Sequence, residues 1–162
     1  EGLYVTKNLV QFYLKKAIPQ ADLIFPNQFE LELLTGMEVK NPPGAVKAAR
    51  YLICKGPKIV VATSIPAGQQ LATVLVTPNS AWQIQTPRLE LIAKGAGDVF
   101  AALYLGNFLA QDIAPEEALS AGVHTTYRVL KNTETDNLPE LALLSIQIPS
   151  GRSKLPYSAS LL

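Results

Sequence analysis

The sequence predicts a layered α/β domain whose sheet is mostly parallel, with a β-hairpin at its edge. Three observations carry this. Short apolar runs bounded by turn residues, Ala21 to Phe25 and Ile59 to Ala62, read as buried strands. Stretches with apolar residues at helical spacing alternate with them, from Thr6 to Ala17, Leu31 to Thr35 and Ala45 to Lys55. Leu71 to Gln85 reads as a hairpin, its second arm alternating Trp82 and Ile84 with polar neighbours. Strands and helices in alternation build a sheet covered by helices.

Each element has local reasons. Thr6 is placed to cap the first helix and Pro19 to end it. After the strand at Ala21 to Phe25, Asn27 with Glu30 three residues on reads as a capping box, and Gly36 as a helix stop. Asn41-Pro42-Pro43-Gly44 is a turn. The next helix, with Val46, Ala49, Leu52 and Ile53 on one side, stops at Gly56-Pro57, and Cys54 near its end reads as a buried structural thiol. Thr63 and Ser64 close the second strand, and Ile65 to Gln70 is a loop. Pro78-Asn79-Ser80 turns the hairpin, where Trp82 reads as packing. Gly95-Ala96-Gly97 leads into a helix running to about Ala110, and Pro115-Glu116-Glu117 opens another that runs to about Leu130. Asn132 to Asn137 is a polar break, Leu138 to Ile148 a short helix or strand, and the residues after Pro149 an extended tail.

Composition narrows the function. The 162 residues are 48% hydrophobic and 17% charged with a net charge of +1, which fits a globular domain and gives no basic surface for a nucleic acid backbone. The single cysteine rules out an intrachain disulfide and suits a reducing cytosol, so a cytoplasmic location is expected. No apolar run approaches the roughly 18 residues of a spanning helix, so no membrane partner is expected. The helical pattern begins almost at Glu1, and a preceding segment is expected.

The stretch Leu91 to Leu103, L-I-A-K-G-A-G-D-V-F-A-A-L, supports two readings. In the first, the small residues Gly95, Ala96 and Gly97 let the backbone approach an anion, and the free N–H groups of the following helix favour a phosphate. Asp98 then stands where it can take a proton from an attacking hydroxyl. In the second, a glycine turn precedes a core helix and Asp98 is an N-cap. Asn27 and Glu30 likewise fit either a capping box or ligand contacts at the carboxyl end of a strand. Thr63 and Ser64 meet either a phosphate or their own turn. Arg88 and Lys94 flank the proposed anion site and are either solvated or within reach of a nucleotide phosphate. His124 carries no assigned role.

Three stretches together resemble the C-terminal half of the pyridoxal kinases, in the ribokinase-like superfamily. They are A-D-L-I-F-P-N-Q-F-E-L-E-L-L-T-G from Ala21 to Gly36, Gly56-Pro57 through Thr63-Ser64, and K-G-A-G-D-V-F-A-A from Lys94 to Ala102. The resemblance implies a layered ribokinase-like fold with its N-terminal half absent, residues 1–162 being the C-terminal, nucleotide-binding part of a single domain. It implies ATP-dependent phosphorylation of the 5'-hydroxymethyl group of pyridoxal, pyridoxine and pyridoxamine, with ATP and magnesium required. Asp98 falls on the catalytic base, and Gly95, Ala96 and Gly97 on the anion hole. Asn27 and Glu30 fall on the pair that organises ATP and its magnesium through water, Thr63 and Ser64 on ATP-phosphate contacts, and Thr86, Pro87, Arg88 and Leu89 on a strand end near the nucleotide. A homodimer is also implied.

Two residues depart from that pattern. Ala96 stands where these kinases often have threonine, at a place where backbone N–H groups bind. Phe25 stands where threonine often helps hold a monovalent cation, and phenylalanine offers no ligand. The alternatives are a sister kinase for hydroxymethylpyrimidine or a sugar, or an inactive nucleotide-binding fragment. Pyrimidine kinases commonly carry cysteine at the base position, where this chain has Asp98.

Overall fold

The computed structural model describes residues 7–91, 94–110, 113–143 and 156–162. Helix α1 (Lys7–Phe12) runs into a π-helical turn (Tyr13–Ala17) and then a 3₁₀ turn (Ile18–Gln20) containing Pro19. The single helix expected there changes its winding halfway, and its expected cap, Thr6, lies outside the described residues. Strand β1 (Leu23–Ile24) is shorter than its apolar run. Helix α2 (Gln28–Thr35) has the ends read from sequence. Asn27 caps it, and Gly36, at φ +69°, closes it with its N–H bonded to the Glu32 carbonyl at 2.7 Å.

Helix α3 (Pro42–Ile53) starts ahead of its apolar pattern. Asn41 Oδ1 accepts the Gly44 N–H at 2.9 Å, and both prolines sit in the first turn, where a missing N–H leaves no bond unmade. The expected free turn is therefore a helix start. Cys54 caps α3 at its C-terminus and is exposed, not buried. It follows the buried Leu52 by two residues, which at 3.6 residues per turn carries it to the opposite side of the helix.

Strands β2 (Ile59–Ala67), β3 (Gln70–Val76), β4 (Ala81–Pro87) and β5 (Ser160–Leu161) complete a sheet of order β1-β2-β3-β4-β5. Among the described residues one pairing, β1 with β2, is parallel, and the other three are antiparallel. This corrects the expectation of a mostly parallel sheet, and connection length explains it. Helices α2 and α3 give β1 and β2 the crossover that a parallel pair needs. The other returns are tight. Gly68, at φ +66°, opens a two-residue turn, and Thr77 to Ser80 closes on a 2.9 Å backbone bond. Ile65 to Ala67, expected as loop, extends β2 opposite Gln70 to Ala72. The chain's last residues, expected as a free tail, supply β5 along β4, and the Leu162 N–H bonds the Ala81 carbonyl at 2.9 Å. Leu138 to Leu143 contains neither strand nor α-helix, and the remainder of that expected element lies outside the described residues.

Helices cover both faces of the sheet. On one, Leu31, Ala45, Ala48 and Leu52 pack against Val60, Ala62, Val74 and Val76. On the other, α4 (Ala96–Ala110) and α5 (Pro115–Thr135) bring Phe100, Tyr104, Leu119 and Val123 against Val61, Leu75 and Ile84. Neighbours Val60 and Val61 serve opposite cores, as the two-residue period of a strand requires. Trp82 packs beside the second core, as expected.

Gly56 shows how closely these layers meet. A Cβ there would lie 2.7 Å from the Ile18 carbonyl oxygen and 2.7 Å from Pro19 Cα, both backbone atoms that cannot swing away. Gly56→Ala is expected to cost about 1–3 kcal/mol, the range for forced overpacking. Urea unfolding checks it: the midpoint falls with the slope unchanged, and an unmoved midpoint would contradict the close approach.

Candidate active site

The parallel pair β1 and β2 sets the position of the first site residues. Beyond β1 the Thr63 N–H bonds the Pro26 carbonyl at 2.9 Å, and Asn27 forms a parallel bridge with Thr63. The chain turns there into α2. Asn27 Oδ1 accepts the Glu30 N–H at 2.9 Å, and Glu30 Oε2 accepts the Asn27 N–H at 2.9 Å, so the capping box is fully formed. Glu30 Oε1 takes no part in that exchange, and the residue is exposed.

Thr63 and Ser64 stand where the β2–β3 register breaks, between Ala62 and Ile65. Ser64 adopts φ +58°, a left-handed conformation that costs a non-glycine residue about 1–2 kcal/mol. Bulges of this kind re-aim side chains and recur beside active sites. Ser64 is exposed and Thr63 half-buried.

The glycine turn is more compact than the sequence pattern implies. Gly95, at φ +85°, precedes the helix, and its carbonyl accepts the Val99 N–H at 3.0 Å. Ala96 and Gly97 are already the first two residues of α4, and Asp98 is the third. Asp98 is thus not an N-cap. It is the one charged residue of α4, exposed in the first turn, where the helix dipole favours a negative charge. The N–H groups of this turn have no acceptor within their own helix.

One groove adjoins this turn, and a second shares Tyr127 with it. The first is the smaller, about 140 Å³, and is lined by Thr63, Ser64, Thr86, Ala96 and Gly97, with Tyr127 on the far wall. The second is the larger, about 800 Å³, and takes in Pro87, Arg88 and Leu89 together with Tyr127, Lys131 and Glu134. The structure therefore gathers Thr63, Ser64, Thr86, Ala96 and Gly97 into one place, joined to Asn27 through the Thr63 bridge. It sets Pro87, Arg88 and Leu89 in the adjoining groove. Gly95 and Asp98 line neither groove, and Asp98 follows directly on Gly97. The exposed Lys94 also lines neither groove.

Sequence reasoning missed the α5 wall. Val123, Thr126, Tyr127 and Leu130 line the smaller groove at helical spacing, and the Thr126 Oγ1 is buried with no hydrogen-bond partner. That face was readable as a stripe on α5, but nothing in its composition separates it from core. Phe25 lines neither groove and joins an aromatic cluster, its ring centroid 5.9 Å from Phe100, a residue of the smaller groove, and 5.4 Å from Tyr104.

Among the described residues no three of His, Cys, Asp and Glu gather as metal ligands. Glu30 lines neither groove but keeps one oxygen outside the capping box, and Glu90 and Glu134 line the larger groove. Magnesium commonly keeps several waters and binds through few carboxylates plus substrate phosphates. These residues fit an ion held that way and do not form a protein cage.

Residues 2–143 match the phosphomethylpyrimidine kinase family. The chain belongs to that family. Within its reach, the chain is similar to a pyridoxal kinase, PdxY, of Rubrobacter xylanophilus, 38% identical over 151 residues, which are 90% of this chain and 52% of that protein. Its fold superimposes on a Plasmodium falciparum PdxK bound to AMP-PNP and PL with a TM-score of 0.88 at 27% identity, over 99% of this chain and 56% of that one. A pyridoxal kinase of Entamoeba histolytica gives 0.86 at 26% identity, over 99% and 58%. The likeness to pyridoxal kinases and the α/β layered fold both stand as expected. The chain spans about half the length of the curated relatives it matches.

The capping box makes a prediction about this family member that is independent of ligand. Asn27→Ala removes the acceptor for the Glu30 N–H and is expected to cost about 1 kcal/mol. Glu30→Gln retains an oxygen for the Asn27 N–H and is expected to stay within about 0.5 kcal/mol. Chemical denaturation of both variants checks this, and equal losses would contradict it.

Proposed function

We propose that residues 1–162 are the nucleotide-binding, C-terminal part of a ribokinase-like kinase domain that phosphorylates vitamin B6. The reaction transfers the γ-phosphoryl group of ATP to the 5'-hydroxymethyl group of pyridoxal, and also of pyridoxine and pyridoxamine, giving pyridoxal 5'-phosphate from pyridoxal. The observation that carries this reading is the convergence of Thr63, Ser64 and Thr86 with the first turn of α4 on one groove. Hydroxyls and unpaired amides together suit a phosphate chain. The named relatives support pyridoxal as the acceptor.

In this reading Asp98 accepts the proton of the 5'-hydroxyl as its oxygen bonds to the γ-phosphorus. The bond from that phosphorus to the β–γ bridging oxygen breaks, and ADP leaves. The N–H groups at Gly95, Ala96 and Gly97 hold the transferred group, whose developing charge they meet without reorganising. Thr63 and Ser64 hold the remaining phosphates. Thr86, Pro87, Arg88 and Leu89 border the nucleotide. Asn27 and Glu30 organise the phosphates, Glu30 through water on magnesium, which would supply charge neutralisation along the triphosphate. Ala96 in place of threonine keeps the backbone donor. Phe25, with its ring in the aromatic cluster, leaves a monovalent cation without that ligand. A cytoplasmic homodimer completes the reading, by resemblance.

A second reading, phosphorylation of hydroxymethylpyrimidine, is favoured by the name of the matching family. The two separate by assay. The protein, alone and together with a polypeptide supplying the N-terminal half of its relatives, is incubated with MgATP and each of pyridoxal, hydroxymethylpyrimidine and ribose. Phosphorylation of pyridoxal is expected. Turnover of the pyrimidine or the sugar alone would overturn the substrate, and nucleotide binding without any turnover would mark an inactive fragment.

Asp98→Asn tests the base. A general base is worth about 10²–10⁴ in rate, so kcat is expected to fall by about that factor while KM for MgATP changes little. Equal losses in kcat and ATP affinity would contradict the assignment.

A further inference from the structure

The last turn of α5 ties down both walls of the larger groove. Glu134 Oε1 accepts the Glu90 N–H at 3.0 Å across 44 residues of chain, and Oε2 accepts from Lys131 Nζ at 3.1 Å. Those two donors, Lys131 first, hold the Glu134 carboxyl below the usual carboxylate range. One residue earlier, Thr133 is 1% exposed. Its Oγ1 donates to the Val129 carbonyl at 2.7 Å and accepts the Ala142 N–H at 3.0 Å, while its own carbonyl accepts the Leu138 N–H at 3.0 Å.

The two tethered segments have little order of their own. Arg88 to Leu91 leads from β4 toward the glycine turn, and Leu138 to Ala142 follows α5. Neither contains helix or strand. The second reaches the glycine turn directly, because a Cβ on Gly95 would lie 3.6 Å from Leu141 Cδ1. Both segments contribute to the groove, through Arg88 and Leu89 on one side and Leu138 on the other.

We propose that Thr133 and Glu134 are positioning residues for nucleotide binding: each fixes one wall of the groove, and Thr133 also seats the Leu138–Ala142 segment against Gly95. This rests on the reading of the groove as a nucleotide site. Both residues also line the groove themselves, and the proposed effect on affinity is the one each exerts through the segment it holds.

The test measures magnesium AMP-PNP binding by calorimetry, with the thermal midpoint alongside, for Glu134→Ala, Glu134→Gln, Thr133→Val and Thr133→Ser. Glu134→Gln and Thr133→Ser keep an oxygen for the Glu90 and Ala142 N–H groups. They are expected to bind within about twofold of the unsubstituted protein. Glu134→Ala and Thr133→Val are expected to bind at least about fivefold more weakly. The proposal is overturned if those two variants bind within twofold whatever their midpoints, or if the conservative pair loses as much. Should Thr133→Val not fold, the half-buried Glu134 pair decides by the same criterion. If the unsubstituted protein binds no AMP-PNP, the nucleotide reading falls and takes this proposal with it. If it binds and the variants match it, only the tethers are refuted.

Discussion

The amides of the first turn of α4 have no partners in their own helix, and the sheet brings hydroxyls to face them. That arrangement requires Gly95 to turn the chain at φ +85° so that Ala96 and Gly97 open onto the groove lined by Thr63, Ser64 and Thr86. Unpaired amides are costly only when water and ligand are both excluded. Here Ala96 and Gly97 lie beside an open groove, where an anion of the kind proposed above would find them unpaired. The aromatic cluster behind them, Phe25, Phe100 and Tyr104, anchors α4 from below and leaves its first turn free.

Local strain at the groove is offset by ordinary packing elsewhere. Ser64 is held left-handed at a break in register, yet on both sides of that break β2 pairs regularly with β3. Thr86 lies near the end of β4, so the antiparallel meander β2–β3–β4 carries three of the hydroxyls. Asn27 joins them because the chain beyond β1 continues parallel to β2 and bridges Thr63. Its capping box does two things at once: it starts α2, and it holds Glu30 beside the strand ends.

Local chemistry was legible in the sequence where a residue's role depends on its immediate neighbours. Asn27, Glu30 and Gly36 define α2 from their own side chains and backbone preferences, and the structure agrees at both ends. The glycine turn before α4 is legible at Gly95, while Ala96 and Gly97, read as part of the turn, are already helix. What escaped were features that depend on distant partners. The antiparallel balance of the sheet turns on Gly68 opening a two-residue turn and not a longer loop, and β5 exists because β4, about 80 residues earlier in the chain, offers an edge. The α5 wall escaped because Tyr127 and Leu130 look like any apolar stripe, and α5 itself runs on to Thr135 through a polar stretch read as a break. The tethers at Thr133 and Glu134 span contacts that no local pattern encodes.

In the proposed reaction the start of α4 receives the phosphate of ATP that is to be transferred. A crystal structure of the protein with magnesium AMP-PNP tests it most directly. The γ-phosphate is expected within hydrogen-bond distance of the N–H groups at Gly95 to Gly97, with the Asp98 carboxylate beside it on the acceptor side. A γ-phosphate seated elsewhere, with those amides still turned to water, would contradict it.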